Sequence, residues 1–130
     1  MHTPWGEAQT IDIIAERIFE VTTASHGGIM LDEKRRAAML AYMRNASFAG
    51  PSAYEEDCDW CMPALVFEKE FRAFYKHKNI KEIDGIFTLV KNTLRLWHPD
   101  VCEAFFGVIL KPGESAKRDK QQFNRGNTNN

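Results

Sequence analysis

Residues 9–23, QTIDIIAERIFEVTT, predict a β-hairpin in the N-terminal part of the chain. The segment Ile11-Asp12-Ile13 alternates apolar and polar side chains, which is typical of a half-buried strand. Residues 18–23 are rich in β-branched and aromatic types, which favour extended backbone. We expect the turn at residues 15–17, although these lack the Gly or Asn that a tight turn prefers. A third short strand is predicted at residues 29–31.

Two helices are predicted between residues 32 and 76. Asp32 has the residue type of an N-cap, and the helix that it begins is expected to run to about residue 45. Its expected buried stripe is Ala38, Met39, Tyr42 and Met43. A second helical pattern covers most of residues 55–76. Pro63 lies within it, so it either kinks this helix or lies in the first turn of a shorter one that leaves 54–61 as a loop.

Residues 81–97 give the clearest helix, because their apolar side chains recur at the spacing of one helix face. Pro99 is expected to end it and to open a short last helix that Gly107 stops. A short strand is predicted at residues 108–110. Residues 111–130 are polar and rich in Asn, so we expect a mobile C-terminal tail.

The order of these patterns predicts the fold class. A small antiparallel sheet from the N-terminal third is expected to pack against three or four helices, which defines an α+β domain. At 130 residues the chain is of single-domain size. We therefore predict one domain over residues 1–110, followed by the tail.

Composition excludes several classes of protein. The chain has 17 Lys and Arg against 18 Asp and Glu, and this balance does not indicate nucleic-acid binding. No apolar run is long enough to span a bilayer, and the N-terminus lacks the features of a signal peptide. An odd number of cysteines, three, argues against a secreted disulfide framework. We expect a cytoplasmic protein with no membrane association, in the host cytoplasm if a phage encodes it.

Two polar clusters are candidate functional sites: residues 25–28, SHGG, and residues 54–61, YEEDCDWC. The paired glycines allow a ligand to approach the backbone closely. If a carboxylate of the second cluster meets His26 in the fold, it can orient the imidazole for general base catalysis. The candidate catalytic residues are His26, Glu55, Glu56 and Asp57, with Ser25 or Cys58 as the nucleophile. The same carboxylates also suit a hard cation such as Mg²⁺.

The second cluster is equally typical of a protein-binding surface. Its aromatic side chains offer rigid contact area, and its acids attract basic partners. The candidate binding residues are Tyr54, Glu55, Glu56, Asp57, Asp59 and Trp60. Alternatively, Trp60 belongs to the core and the acids are the solvated start of a helix.

A zinc site is a further hypothesis. Cys58 and Cys61 form a C-x-x-C pair, while His98 and Cys102 lie about one helical turn apart, so two pairs together have the residue types of a tetrahedral site. Buried, reduced cysteines explain the same residues without a metal. We therefore expect neither metal nor cofactor.

Three N-terminal motifs resemble a small family of domains of unknown function that occurs in proteobacteria, on plasmids and in phages. The motifs are HTPWGEAQ at residues 2–9, SHGGI at 25–29 and YEEDCDW at 54–60, and the resemblance covers about residues 2–75. Here Glu16-Arg17 stands where the family usually has Pro-Gly, and Cys61 stands where it usually has Ala. The resemblance implies a small accessory protein of mobile elements, but no particular activity.

These observations favour a non-enzymatic accessory protein that binds and modulates a host protein, such as a component of host defence. The site is expected where the His26 loop meets residues 55–60, with Trp5 beside it. The alternative is a small hydrolase or metal-dependent enzyme that uses His26 with Glu55, Glu56 or Asp57.

Overall fold

A computed structural model describes residues 1–128, with side chains described through residue 124. Strands β1 (His2–Thr3) and β2 (Gly6–Glu7) form a small antiparallel hairpin. Strands β3 (Thr10–Ala15), β4 (Ile18–Thr22), β5 (Gly27–Leu31) and β6 (Ala53–Glu55) form one antiparallel sheet in that order. The helices are α1 (Glu33–Ala38), α2 (Ala41–Ala46), α3 (Cys61–Val66), α4 (Glu68–His77), α5 (Ile83–Trp97), α6 (Pro99–Phe106) and α7 (Ala116–Thr128). The predicted α+β class is confirmed.

The predicted hairpin is strands β3 and β4, joined at Glu16-Arg17. Arg17 has a positive φ of 69°, a conformation in which an L-residue is uncommon. The pairing register also shifts between Ile13 and Ala15, so one residue more stands on β3 than on β4. A hydrogen bond of 2.6 Å from Arg17 to Asp32 holds this turn against the start of α1. The turn therefore forms without Gly or Asn.

Strand β5 is longer than predicted because it begins at Gly27. A Cβ at Gly28 would overlap the carbonyl oxygen of Tyr54 and would lie 2.6 Å from Cη2 of Trp5. Trp5 belongs to the turn of the β1–β2 hairpin, so the missing side chain lets that hairpin pack directly on the main sheet.

The helix predicted from Asp32 to residue 45 is two helices. Asp32 is the N-cap as predicted, since its side chain accepts a hydrogen bond from the N–H of Arg35. Met39 and Leu40 are extended, and this break turns the second helix in a new direction. Met39 and Met43 are buried, but Ala38 and Tyr42 are exposed, so the predicted stripe is only half right.

The helical pattern over residues 55–76 begins in the structure at Cys61. Residues 56–60 form a turn, and Pro63 lies in the first turn of α3, where its missing N–H costs little. This is the second of the two arrangements that the sequence left open. Phe67 departs from helical geometry and separates α3 from α4.

Helices α5 and α6 are confirmed, and Gly107 ends α6 in the left-handed conformation. The strand predicted at residues 108–110 is wrong, because this segment has no regular structure. Helix α7 lies within the segment expected to be a tail, and Arg118 joins it to α6 through ion pairs with Asp100 and Glu103. Residues 129–130 of that expected tail lie outside the described part of the chain.

The core lies between one face of the four-stranded sheet and helices α3, α4 and α5. The sheet contributes Ile18, Ile29 and Tyr54, and the helices contribute Met62, Phe71, Phe87 and Leu94, all of them buried. In the strand register Ile29 and Tyr54 share one row with Asp12 and Glu20. The core-facing side of the sheet therefore becomes acidic toward β3.

The close approach at Gly28 is testable. Gly28→Ala is expected to lower the free energy of unfolding by roughly 1–3 kcal/mol, because the added methyl group collides with backbone and with Trp5. Gly85→Ala is the matched control, since Gly85 lies within α5 and a Cβ there has no heavy atom nearer than 3.8 Å. That control should stabilise the protein by about 0.5–1 kcal/mol. Urea denaturation measures both, and equal effects of the two substitutions would contradict the packing assigned to Gly28.

Candidate functional site

The structure brings the two polar clusters together. Nδ1 of His26 lies 3.5 Å from Oε1 of Glu55, and the His26 side chain is 52% exposed. The contact forms because Gly28 and Glu55 are directly paired residues of neighbouring strands. Glu56 follows Glu55 in the chain. Its Oε2 atom lies 3.1 Å from the position that a Cβ on Gly27 would occupy. The two glycines thus allow the acidic turn to approach the His26 loop.

A cleft of about 290 Å³ opens beside these residues. Residues of β4 and β5 line it, among them Val21 and Ile29. Trp60 and Tyr75 line it with aromatic surface, and Glu20 and Glu56 line it with carboxylates. His26, Glu55 and Asp57 are not among the lining residues; they lie outside the cleft.

Glu20 is the residue that the sequence analysis missed. Burial raises the pKa of its carboxyl group, and the carboxylates of Asp12 and Glu56 raise it further, while the ammonium of Lys78 opposes them. Among the described side chains, no cation forms an ion pair with Glu20 or Glu56. Lys78 acts on Glu20 but pairs with Asp12, so the two cleft carboxylates have no ion-pair partner of their own among the described side chains.

Two predicted binding residues are buried and cannot contact a partner from the surface. Tyr54 is fully buried and its hydroxyl donates to the carbonyl oxygen of Pro51 at 2.9 Å. Its burial raises the pKa of the phenol to about 12. Asp59 is also 0% exposed. Glu56 and Asp57 remain exposed, whereas Glu55 and Trp60 are half-buried.

Asp59 and His98 form a buried pair that joins distant parts of the chain. Oδ1 of Asp59 lies 2.6 Å from Nε2 of His98, and Oδ2 accepts the backbone N–H of Phe48 at 2.8 Å. His98 was a zinc candidate and Asp59 a binding candidate. Since the two are 39 positions apart, no local sequence signal links them.

The cysteine candidates are buried and reduced. Burial raises the pKa of Cys58 to about 12 and also raises the pKa of Cys61 and of Cys102. A protonated thiol is a poor nucleophile, which argues against the catalytic role considered for Cys58. Within residues 1–128, no three His, Cys, Asp or Glu side chains are grouped so that they could hold a metal ion.

Fold and site together define an α+β protein with an acidic, aromatic-lined cleft. A family model described as "Domain of unknown function (DUF7007)" matches residues 1–128, and the chain belongs to this family. The predicted membership of a family of domains of unknown function is thereby confirmed. No match was found among curated proteins or among solved structures. In the described part of the chain, every helix is too short or too polar to cross a membrane.

The buried pair gives a second prediction. Asp59→Ala should lower the free energy of unfolding by about 3–5 kcal/mol, because it leaves His98 and the Phe48 N–H without their buried partner. Asp59→Asn keeps an oxygen for Phe48 and an amide for His98, so it should cost less. Asp57→Ala, two positions away and exposed, should change stability by no more than about 0.5 kcal/mol. Guanidinium denaturation compares the three, and a neutral Asp59→Ala would contradict the role given to this pair.

Glu20 gives a prediction about pH. Because its pKa is raised in the folded protein, the native state binds more protons than the unfolded state between the two pKa values. The free energy of unfolding therefore falls as pH rises from the unfolded-state pKa of Glu20 through its folded-state pKa, and it remains lower at pH 7. Glu20→Gln should raise Tm at pH 7, and this gain should shrink as acid protonates the wild-type carboxyl group. Thermal melts at several pH values measure it; a lower Tm for Glu20→Gln at pH 7 would show that Glu20 is stabilising.

Proposed function

We propose that this protein is a non-enzymatic binding protein that recognises another protein, and that its cleft receives a basic side chain of that partner. The observation that carries this proposal is the presence of two carboxylates without an ion-pair partner among the described side chains, Glu20 and Glu56, in a cleft lined by Trp60 and Tyr75. A Lys or Arg side chain combines the apolar stem and the charged head that such a site complements.

Glu20 gives the physical reason why a cation should bind in the cleft. A half-buried carboxylate has lost part of its hydration, which is why its pKa is raised. An incoming ammonium or guanidinium group restores favourable interactions to that carboxylate and to Glu56 at once. The aromatic rings add a face on which a cation or its methylene groups can pack. Binding energy is thus available from groups that the free protein leaves unsatisfied.

Acidic side chains outside the cleft, next to Glu56 in the chain, extend the acidic surface. Glu55 is half-buried, Asp57 is exposed, and the His26 ring stands next to Glu55. Exposed charges at the rim of an interface accelerate encounter with an oppositely charged partner more than they strengthen the final complex. Association with a basic partner should accordingly slow as salt is added.

The partner that we propose is a protein of the host cell. This rests on the resemblance of the N-terminal motifs to a family carried by proteobacterial plasmids and phages. Accessory proteins of such elements act on host factors, including defence systems, so modulation of a host protein is the corresponding role.

A second candidate function is that of a small hydrolase or metal-dependent enzyme. The contact between His26 and Glu55 favours it, because a carboxylate that orients an imidazole is the arrangement a general base needs. Two observations weigh against it: His26 does not line the cleft, and burial keeps the nearby Cys58 protonated.

The proposed function is tested by affinity purification from cells of the species that encodes the protein, read by quantitative mass spectrometry. The wild-type chain is expected to enrich one partner in stoichiometric amount, and Glu56→Lys should reduce that enrichment at least tenfold. Glu33→Lys makes the same charge change on α1, away from the cleft, and should bind as the wild type does.

Circular dichroism must first show that all three proteins fold alike. Equal recovery of the partner by Glu56→Lys and wild type would refute recognition through the cleft. Recovery of no partner at all would count against the binding function and in favour of the enzymatic alternative.

A further inference from the structure

We propose that the free edge of β3 binds an extended segment of a partner polypeptide as an added β-strand, with a basic residue opposite Asp12 between two apolar residues. Ile11 and Ile13 do not line the cleft, so this inference can fail while the proposed function stands.

Strand β3 is the first strand of the sheet and is hydrogen-bonded to β4 on one side only. Along residues 1–128, no other backbone segment pairs with its outer side. Alternate residues of such a strand direct both N–H and C=O outward, and these groups are the template that an added strand uses. The register shift between Ile13 and Ala15 limits the regular edge to residues 10–13.

One face of this edge is apolar and exposed. Ile11 is 45% exposed and Ile13 is 66% exposed, and both point to the side of the sheet away from the helices. In the register, Ile13 continues into Phe19 on β4 and Met30 on β5, both half-buried. An added strand with apolar residues opposite Ile11 and Ile13 would extend this apolar face of the sheet and bury both isoleucines.

The other face of the edge is acidic. Asp12 pairs with Glu20 in the register, and its side chain is 49% exposed. Lys78 lies 3.6 Å from Asp12, but this one ammonium also acts on the carboxylate of Glu20, so two acidic groups share it. Residues directly opposite each other in a sheet favour opposite charges. The residue of the added strand that faces Asp12 should therefore be Lys or Arg.

The two faces together define the recognised pattern: apolar, basic, apolar. Charge also argues against a second copy of this chain as the occupant. Antiparallel pairing of two β3 strands would bring Asp12 and Glu20 close to the same residues of the other copy, which is repulsive. A segment with a central basic residue meets the same edge with complementary charge.

The test is selection of peptides by the full-length protein from a displayed library of random decapeptides. We expect the enriched peptides to share the pattern apolar, Lys or Arg, apolar. One of them, synthesised with a fluorophore, should bind at least tenfold more weakly to Ile13→Glu and to Asp12→Lys than to the wild type. Ile109→Glu is the control, since Ile109 is 88% exposed elsewhere on the surface, and it should bind normally.

Amide hydrogen exchange of the wild-type protein locates the bound peptide without any substitution. Protection gained at residues 10–13 would support the inference, and protection confined to other segments would overturn it. Binding lost in Glu56→Lys but retained in Ile13→Glu would place the peptide in the cleft, overturning the β3 inference while supporting the proposed function.

Two further outcomes also overturn the inference. One is the enrichment of no common pattern. The other is dimerisation in sedimentation experiments that Ile13→Glu abolishes, because the edge would then belong to a second copy of this chain.

Discussion

One carboxylate, that of Asp59, determines how the parts of this protein meet. It lies in the turn between β6 and α3, and it binds His98 at the junction of α5 and α6 and the backbone of Phe48 after α2. A buried carboxylate without partners is strongly unfavourable, so these three segments are held in one arrangement. Glu56 and Trp60 flank Asp59 along the chain and line the cleft. The geometry of the cleft therefore depends on a contact that lies outside it.

Local sequence patterns predicted those parts of the fold that local physics determines. The β3–β4 hairpin and α5 follow from the period of their apolar residues, and α6 follows from Pro99 and Gly107. Helix α7 has no apolar face of that kind. Its contacts include the pairing of Arg118 with residues of α6 and the approach of Lys117 to the Phe48 ring, and such contacts depend on the rest of the fold. The break at Met39-Leu40 likewise lacks Gly or Pro, the usual local signals.

Only part of the candidate site could be predicted from the sequence. The two polar clusters led us to expect that the His26 loop meets residues 55–60, but strand β6, whose pairing with β5 brings His26 to Glu55, was not predicted. Glu20 was not expected, since its place in the cleft depends on strand register and on Tyr75 from α4. From composition alone, Asp and Glu side chains are expected at the protein surface. Asp59 departs from that rule because its partners lie far away in the chain.

The three buried cysteines have a consequence for how the folded state can be studied. The thiolate is the nucleophile that attacks a thiol reagent, and here burial both blocks access and disfavours the thiolate form. Modification must wait until the surrounding structure opens. Cys58 and Cys61 lie close in the chain to Trp60, which lines the cleft, whereas Cys102 lies in α6. The natural chain thus carries reporters of local unfolding in two regions, and their labelling rates reveal whether these regions open together or separately.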